Sequence, residues 1–348
     1  MTTQMTSPPP TTPAAKPTSA LAAARVRVFG ARSRLTSWAS VLATVGMLVI
    51  MLVAGQVAFG NFITPRLISS LFLNNAFLIV LAVGMTFVIL TGGIDLSVGS
   101  VIAFSGLLGA QLLAHGWPAA IVMPLMVLSG TLIGVIIGVM VAVFDIQPFI
   151  ASLAGMFLAR GLAYVVSLKS LPISDAAVDW LTSTRWAIGD WSVTPGVVLA
   201  LLFVAIAFWV LHYTRFGRTV YAIGGSAQSA RLMGLAATRT TFLVYVVSGT
   251  CAGFAGLIFA SYTGSGNPLA GLGMELEAIA AVVIGGTILT GGSGYVIGSL
   301  FGVLVYGLIE ITITYMSVDS WWTYIVIGVL LLLFVVFQRA LGARRRRT

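Results

Sequence analysis

The stretch LTGGIDLSVGS, from Leu90 to Ser100, follows a long apolar segment and sets Gly92, Gly93, Asp95 and Gly99 where that segment ends. A span that ends in Gly-Gly can break, turn sharply or admit a second backbone at close range. Non-helical backbone at membrane depth is tolerated only where protein or water-filled space satisfies it. Two readings follow. In one, a helix C-cap is followed by an N-cap, with an oxygen of Asp95 or Ser97 accepting a backbone N–H of the next helix. In the other, the element is broken or re-entrant and borders a water-filled path, with Asp95 turned toward polar substrate or solvent. The two are compatible.

Composition gives the stretch its setting. The 348 residues are 59% hydrophobic and 8% charged, with a mean hydropathy of +1.06. A soluble domain carries about 25% charged residues, so most of this surface must face lipid. The apolar runs suit helices rather than barrel strands. The expected fold is an all-α, polytopic membrane helix bundle. The single cysteine, Cys251, excludes an internal disulfide, and no CxxC or Cys/His metal site is present. The two histidines, His115 and His212, lie at span ends without a matching nucleophile or metal cluster, which argues against an intramembrane enzyme.

Ten spans are expected, near 38–60, 71–90, 97–114, 118–143, 149–168, 195–213, 242–263, 275–290, 295–315 and 321–338. Lysine and arginine near span ends stay in the cytoplasm. Lys16 with Arg25, Arg27, Arg32 and Arg34 precedes the first span. Arg215, Arg218, Arg231 and Arg239 follow the sixth, and Arg339 with Arg344 to Arg347 follows the tenth. These clusters hold fourteen of the 18 basic residues, and all fall on one side in a ten-span count. Both termini and the loop 214–241 are therefore expected inside, and the loop 169–194 outside. Residues 1–37 read as a basic cytoplasmic tail, unstructured through the Pro- and Thr-rich first 24, and 339–348 as a second basic tail. The outer loop holds Trp180, Trp186 and Trp191 among Asp175, Asp179 and Asp190. Interfacial anchoring and a docking surface for an extracytoplasmic protein both fit it.

LTGG recurs at Leu289–Gly292, and in both copies a Gly-Ser pair follows after five residues: Gly99-Ser100 and Gly298-Ser299. Interfaces between transporter repeats are where substrate paths usually run. The candidate path residues are Asn74, Asn75, Thr91, Gly92, Gly93, Asp95, Ser97, Thr290, Gly291 and Gly292, with Thr86 and Thr287 as further hydrogen-bonding groups. Each polar one has a competing use in helix-to-helix hydrogen bonding. Arg160 lies inside the fifth span and must snorkel or pair, with carbonyls of a broken helix or with a carboxylate such as Glu275 or Glu277, and a structural pairing is preferred to a substrate contact. Glu310 is given a structural pairing on the same ground. Gly130, Gly134 and Gly138, and likewise Gly249, Gly253 and Gly256, are spaced for close helix packing.

These motifs carry a family resemblance. LTGGIDLSVGS, FIASLAGMFLARGLAYVVS at 149–167, TRFGRTVYAIGGSAQSARLMGL at 214–235 and AIAAVVIGGTILTGG at 278–292 together resemble the ribose/xylose/galactose-type permeases. These are the membrane subunits of bacterial ATP-binding-cassette (ABC) sugar importers, and the likeness covers about residues 40 to 338. Within the family, AVGMTFVILTGGIDLSVGSVIAF and SWWTYIVIGVLLLLFVVFQR look closest to a galactofuranose-importer permease.

The resemblance implies a multi-pass protein of the bacterial cytoplasmic (inner) membrane. Its implied partners are an ABC ATPase subunit, a periplasmic sugar-binding protein, a second permease of the same or a homologous chain, a monosaccharide and the lipid bilayer, with no nucleic acid. It implies no cofactor on this chain and ATP used by the partner. The sequence agrees in having no GxxxxGK[ST] and no Gly-Lys pair. It also implies a coupling helix in 226–235, built from Gly225, Ser226, Ala227, Ala230, Arg231 and Gly234, whose small Ala230 and Gly234 allow entry into an ATPase cleft. A solvated basic loop is the plainer reading of that segment. Two rivals stay open: an importer for another small polar solute, and an ion-coupled secondary transporter, for which Asp95, Arg160 and Glu310 are few and scattered.

Overall fold

The computed structural model describes the backbone of residues 19–319 and 321–345, with side chains from 40 to 319 and 321 to 334 and at Trp38 and Val336. Among the described residues, those up to Ala39 form one compact unit and those from Ser40 another. The expected unstructured tail lies outside the described residues as far as 18. From Ser19 the backbone is helical.

Thirteen helices are described. Seven are long and apolar enough to cross a membrane: residues Ser40–Phe59 of α1 (Ser19–Phe59), α2 (Pro65–Leu90), α4 (Ala119–Ala142), α5 (Pro148–Val166), α7 (Pro195–Tyr213), α10 (Ala237–Thr263) and α12 (Val296–Tyr315). Two apolar helices are shorter, α3 (Val98–Ala114) and the first part, Trp321–Phe334, of α13 (Trp321–Arg345). Small helices complete the set: α6 (Ala176–Ser183), α8 (Arg215–Gly225), α9 (Ala227–Leu232) and α11 (Met274–Ile284). The chain is thus a helical membrane bundle.

Local chemistry fixes the starts. α2, α5 and α7 open on proline at N1, where its missing N–H costs nothing. Thr64, Thr194, Thr214 and Ser226 each accept a backbone N–H of the helix they precede. α2 therefore begins at Pro65, six residues before the expected edge. It is the central element, buried at every position from Asn75 to Leu90.

The expected eighth span, 275–290, is corrected. Helix covers only α11, which ends at Gly285 and Gly286 (φ +96°). Before it runs a non-helical stretch whose Gly264, Gly271 and Gly273 all take positive φ. Three left-handed residues and Pro268 cannot extend a helix, although the composition stays apolar. The free carbonyl of Ile284 is taken by the Thr44 hydroxyl at 2.5 Å.

The segment expected as the outer loop, 169–194, is ordered. β1 (Leu171–Pro172) pairs antiparallel with β4 (Ser265–Gly266), and β2 (Trp186–Ile188) forms a hairpin with β3 (Trp191–Val193). Trp180 meets Trp186 edge-on at 6.0 Å.

α4 and α10 meet through their glycines. A Cβ on Gly249 would lie 2.7 Å from Cα of Gly134, and one on Gly134 would lie 3.0 Å from Cα of Gly249. Both approaches are to backbone, which has little room to move. Gly134→Leu is therefore expected to cost about 1–3 kcal/mol through overpacking and to lower the unfolding temperature in detergent. Gly328→Leu, at a site open to beyond 4 Å, should not. Equal unfolding temperatures would refute the close contact.

Candidate functional site

Both LTGG copies form glycine turns, and the turns touch. α2 closes on Thr91, after which Gly92 adopts φ +81°, and the N–H groups of Gly92 and Gly93 return to Ile89 and Val88. This is a left-handed helix stop that favours glycine. In the second copy Gly291 (φ +85°) and Gly292 (φ +75°) make the turn. The Gly292 N–H donates to the Leu90 carbonyl at 2.9 Å.

Gly224, at the end of α8, closes the group. A Cβ there would strike the Leu90 carbonyl and the Gly292 nitrogen, and one on Gly291 would lie 3.1 Å from Cα of Gly224. Three glycine pairs, 92–93, 224–225 and 291–292, thus share one backbone-to-backbone junction. α8 and α7 each hold the second turn once more. Tyr221 donates to the Gly294 carbonyl at 2.8 Å, and His212 stacks on Tyr295 at 5.6 Å. Burial, with Tyr295 as the lesser cause, pushes the Tyr221 phenol up from its ordinary value and keeps it a donor.

Asp95 lies beside the junction, fully buried. Its Oδ1 accepts from the Ser97 N–H (3.0 Å) and hydroxyl (2.6 Å), and its Oδ2 from the Ser248 hydroxyl of α10 (2.7 Å). The carboxylate organises the turn into α3 and ties it to α10. Ser97 itself makes no cap bond. Tyr245, whose hydroxyl would lie 2.5 Å from a Cβ on Gly93, has no hydrogen-bond partner there.

The other path candidates divide. Thr91 and Thr290 border the junction. Thr86 bonds Ser299 at 2.7 Å between α2 and α12, and Thr287 is buried with its hydroxyl unpaired. Asn74 and Asn75 sit seventeen and sixteen residues before Thr91 on α2, about 25 Å away along the axis. Asn75 is 2% exposed, donates to the Leu71 carbonyl and packs on Gly307. Asn74 lines a cavity with Tyr306 and Glu310 of α12. That cavity and its Arg66 were not singled out by the sequence, although the spacing of four from Arg66 through Ser70 to Asn74 was available.

Arg160 takes the broken-helix option. It donates to the Pro268 and Ala270 carbonyls at 2.6 and 2.8 Å. Two charge-assisted bonds, about 1.5–3 kcal/mol each, offset an insertion cost of about 2.5–3.5 kcal/mol.

In α9 one expectation fails. Ala230 is fully buried against Ile223 and Ala237, so its small size is demanded by this chain's own packing. The exposed surface is Gly225, Ser226, Ala227, Arg231, Leu232 and Met233, with Gly234 (φ +74°) closing the turn. Leu232 is 83% exposed and Met233 68%. Arg231 reaches Asp145 at 3.9 Å. A surface pair contributes at most about 1 kcal/mol, but it places the α4–α5 turn at the same end as α9.

Comparison with known proteins follows this geometry. The family model described as branched-chain amino acid transport system / permease component matches residues 67–335. The fructose import permease protein FruG of Bifidobacterium longum is 45% identical over 309 residues, 87% of this chain and 91% of its own length. The inner membrane ABC transporter permease protein YjfF of Escherichia coli K12 is 46% identical over 304 residues, 86% and 91% of the two chains. The ribose import permease protein RbsC of the same strain is 37% identical over 279 residues, 79% and 86% of the two chains. No solved structure matches.

The Asp95 arrangement can be checked directly. Asp95→Asn keeps an acceptor for Ser97 and a polar partner for Ser248. Asp95→Ala strands two buried hydroxyls and an N–H, each costing about 1–3 kcal/mol. The alanine variant should unfold at a clearly lower temperature in detergent and the asparagine variant near wild type. An alanine variant as stable as wild type would show that Asp95 does not hold this loop.

Proposed function

Because the chain belongs to the permease-component family of branched-chain amino acid transport systems, we propose that it is the membrane subunit of a bacterial ABC importer for a monosaccharide. The cargo is galactofuranose or a related sugar. It passes from a periplasmic binding protein, across the inner membrane, to the cytoplasm, and a separate subunit hydrolyses ATP. The sugar class is supported by the printed functions of the fructose and ribose import relatives. The galactofuranose reading rests on the likeness of residues 82–104 and 320–339.

One observation carries the mechanism: Gly224, in the α8–α9 segment, is packed by backbone against both LTGG turns. α9 with its exposed Leu232 and Met233 is the surface offered to the ATPase. Motion of α8 reaches α3 and α12 through turns that have no side chains to absorb it. Gly92, Gly93, Gly291 and Gly292 form the inner end of the path, with Thr91 and Thr290 at its edge. Asp95 and Ser97 shape that end, and Asn74 and Asn75 belong to the outer part.

Topology fits this reading. Nine apolar helices and the non-helical stretch continued by α11 give ten crossings, with both termini in the cytoplasm. α11 at about 1.5 Å per residue covers roughly half of a crossing of about 30 Å, and the turn-rich stretch 264–273 supplies the remainder. A second permease, the same chain or a homologue, completes the path. Asp95, Arg160 and Glu310 have different partners, which gives no relay for an ion-coupled mechanism.

The test is association with the ATPase. Burial of an exposed Leu or Met contributes about 1.5–3 kcal/mol, so Leu232→Glu with Met233→Glu is expected to weaken binding at least tenfold. The protein should still insert, lose the ATPase on purification, and lose sugar uptake. Ala187→Glu, in the β2–β3 hairpin at the other end, should retain the ATPase. Full ATPase retention and coupled uptake by the double variant would remove α9 as the coupling element.

A further inference from the structure

A cavity of about 500 Å³ opens between α2, α12 and α13, at the end of α2 and α12 away from the glycine junction. It falls within the roughly 300–1,000 Å³ usual for small-molecule sites. Its walls are two polar ladders with a spacing of four residues: Arg66, Ser70 and Asn74 on α2, and Tyr306, Glu310 and Thr314 on α12. Residues four apart share one helix face, so both helices turn a polar stripe toward one space. In a chain that is 8% charged, such stripes would be costly against lipid. The other large hollows, such as that between Met123, Leu128, Leu199 and Phe254, are lined by apolar side chains.

The hydrogen-bonding state of this cavity points to its occupant. The Tyr306 hydroxyl has one proton and two carboxylates beside it, Glu277 and Glu310. Its contact with Glu310 is long, 3.5 Å, which leaves the Glu310 oxygens able to accept from another donor. Arg66, on the facing ladder, has no ion-pair partner among the described residues and no acceptor of its own. Asn74 both donates and accepts. A ligand matched to these walls is neutral and carries many groups that donate and accept at once, which is the chemistry of a polyhydroxylated sugar.

We propose that this cavity is a sugar-binding station on the route across the membrane. Glu310 and Asn74 accept hydroxyl protons, Arg66 donates to sugar oxygens, and Tyr306 orients the Glu310 carboxylate. The inference rests on the importer reading above and adds the place where cargo is held after release from its binding protein.

The experiment uses the intact importer, permease with ATPase and binding protein, in membrane vesicles, with ¹⁴C-labelled D-galactose, D-fructose and D-ribose as probes. ATP hydrolysis stimulated by the loaded binding protein is measured alongside uptake. Glu310→Gln and Asn74→Ala are expected to lower uptake per ATP hydrolysed at least tenfold and to change the ranking of the three sugars. Assembly and stimulated hydrolysis should persist. Unchanged uptake per ATP and an unchanged ranking would overturn the proposal. So would a parallel loss of uptake, assembly and hydrolysis, which marks a structural role. If Glu310→Gln fails to reach the membrane, Tyr306→Phe, which removes one hydroxyl, is judged by the same results. If the wild-type importer takes up none of the three sugars, the sugar reading itself falls and the station with it. That result is seen before any variant is made.

Discussion

The hydrogen bond from Gly292 N–H to the Leu90 carbonyl, with Gly224 lying against both groups, is the constraint on which the rest depends. It joins three segments separated by more than 60 residues each, and it joins them backbone to backbone. Side chains in a bundle interface can change rotamer to absorb a small displacement. Contacts made by glycine cannot, so α8, the end of α2 and the turn into α12 are fixed as one body. The positive φ at Gly92, Gly291 and Gly292 is the conformational condition for that approach. A Cβ at Gly224 would remove the room for it.

Several polar groups of the interior are paired with irregular backbone, whereas the Tyr245 and Thr287 hydroxyls beside the junction are not. Asp95 binds the turn into α3, Arg160 binds the carbonyls ahead of α11, and Thr44 takes the last carbonyl of α11. An unpaired group costs about 1–3 kcal/mol in a buried site, and irregular segments carry several. The charged residues of the interior thus pay for the breaks in the helices. Their scatter along the sequence follows the scatter of those breaks.

This explains what the sequence made legible. The LTGG repeat marked the junction because its glycines have no packing use in an uninterrupted helix. Arg160 announced a partner because a lone guanidinium in an apolar span needs one. The spacing of Gly130, Gly134 and Gly138 announced a close helix contact, and the structure supplies α10 as its partner. Other features were hidden for physical reasons. Hydropathy measures transfer to lipid and is blind to backbone conformation, so α11 and the glycine-rich turn that follows it read as one span. Ala230 is small for its own core, and small size alone does not say which neighbour demands it. The cavity ladders lie about 240 residues apart, and periodicity within either helix cannot show that the two faces meet.

α2 and α12 run antiparallel, and three contacts along the pair differ in kind. At one end Asn75 rests on Gly307 below the open cavity, in the middle Thr86 bonds Ser299, and at the other end Leu90 meets Gly292. The middle contact is a single side-chain hydrogen bond, typically about 0.6 kcal/mol in a membrane protein. The junction end is closed by main chain on three sides and cannot part without stripping carbonyls and N–H groups of their partners. The cavity end has polar side chains facing an unfilled space of about 500 Å³. The pair is therefore tight where it meets α8 and open at its other end, where it meets α13.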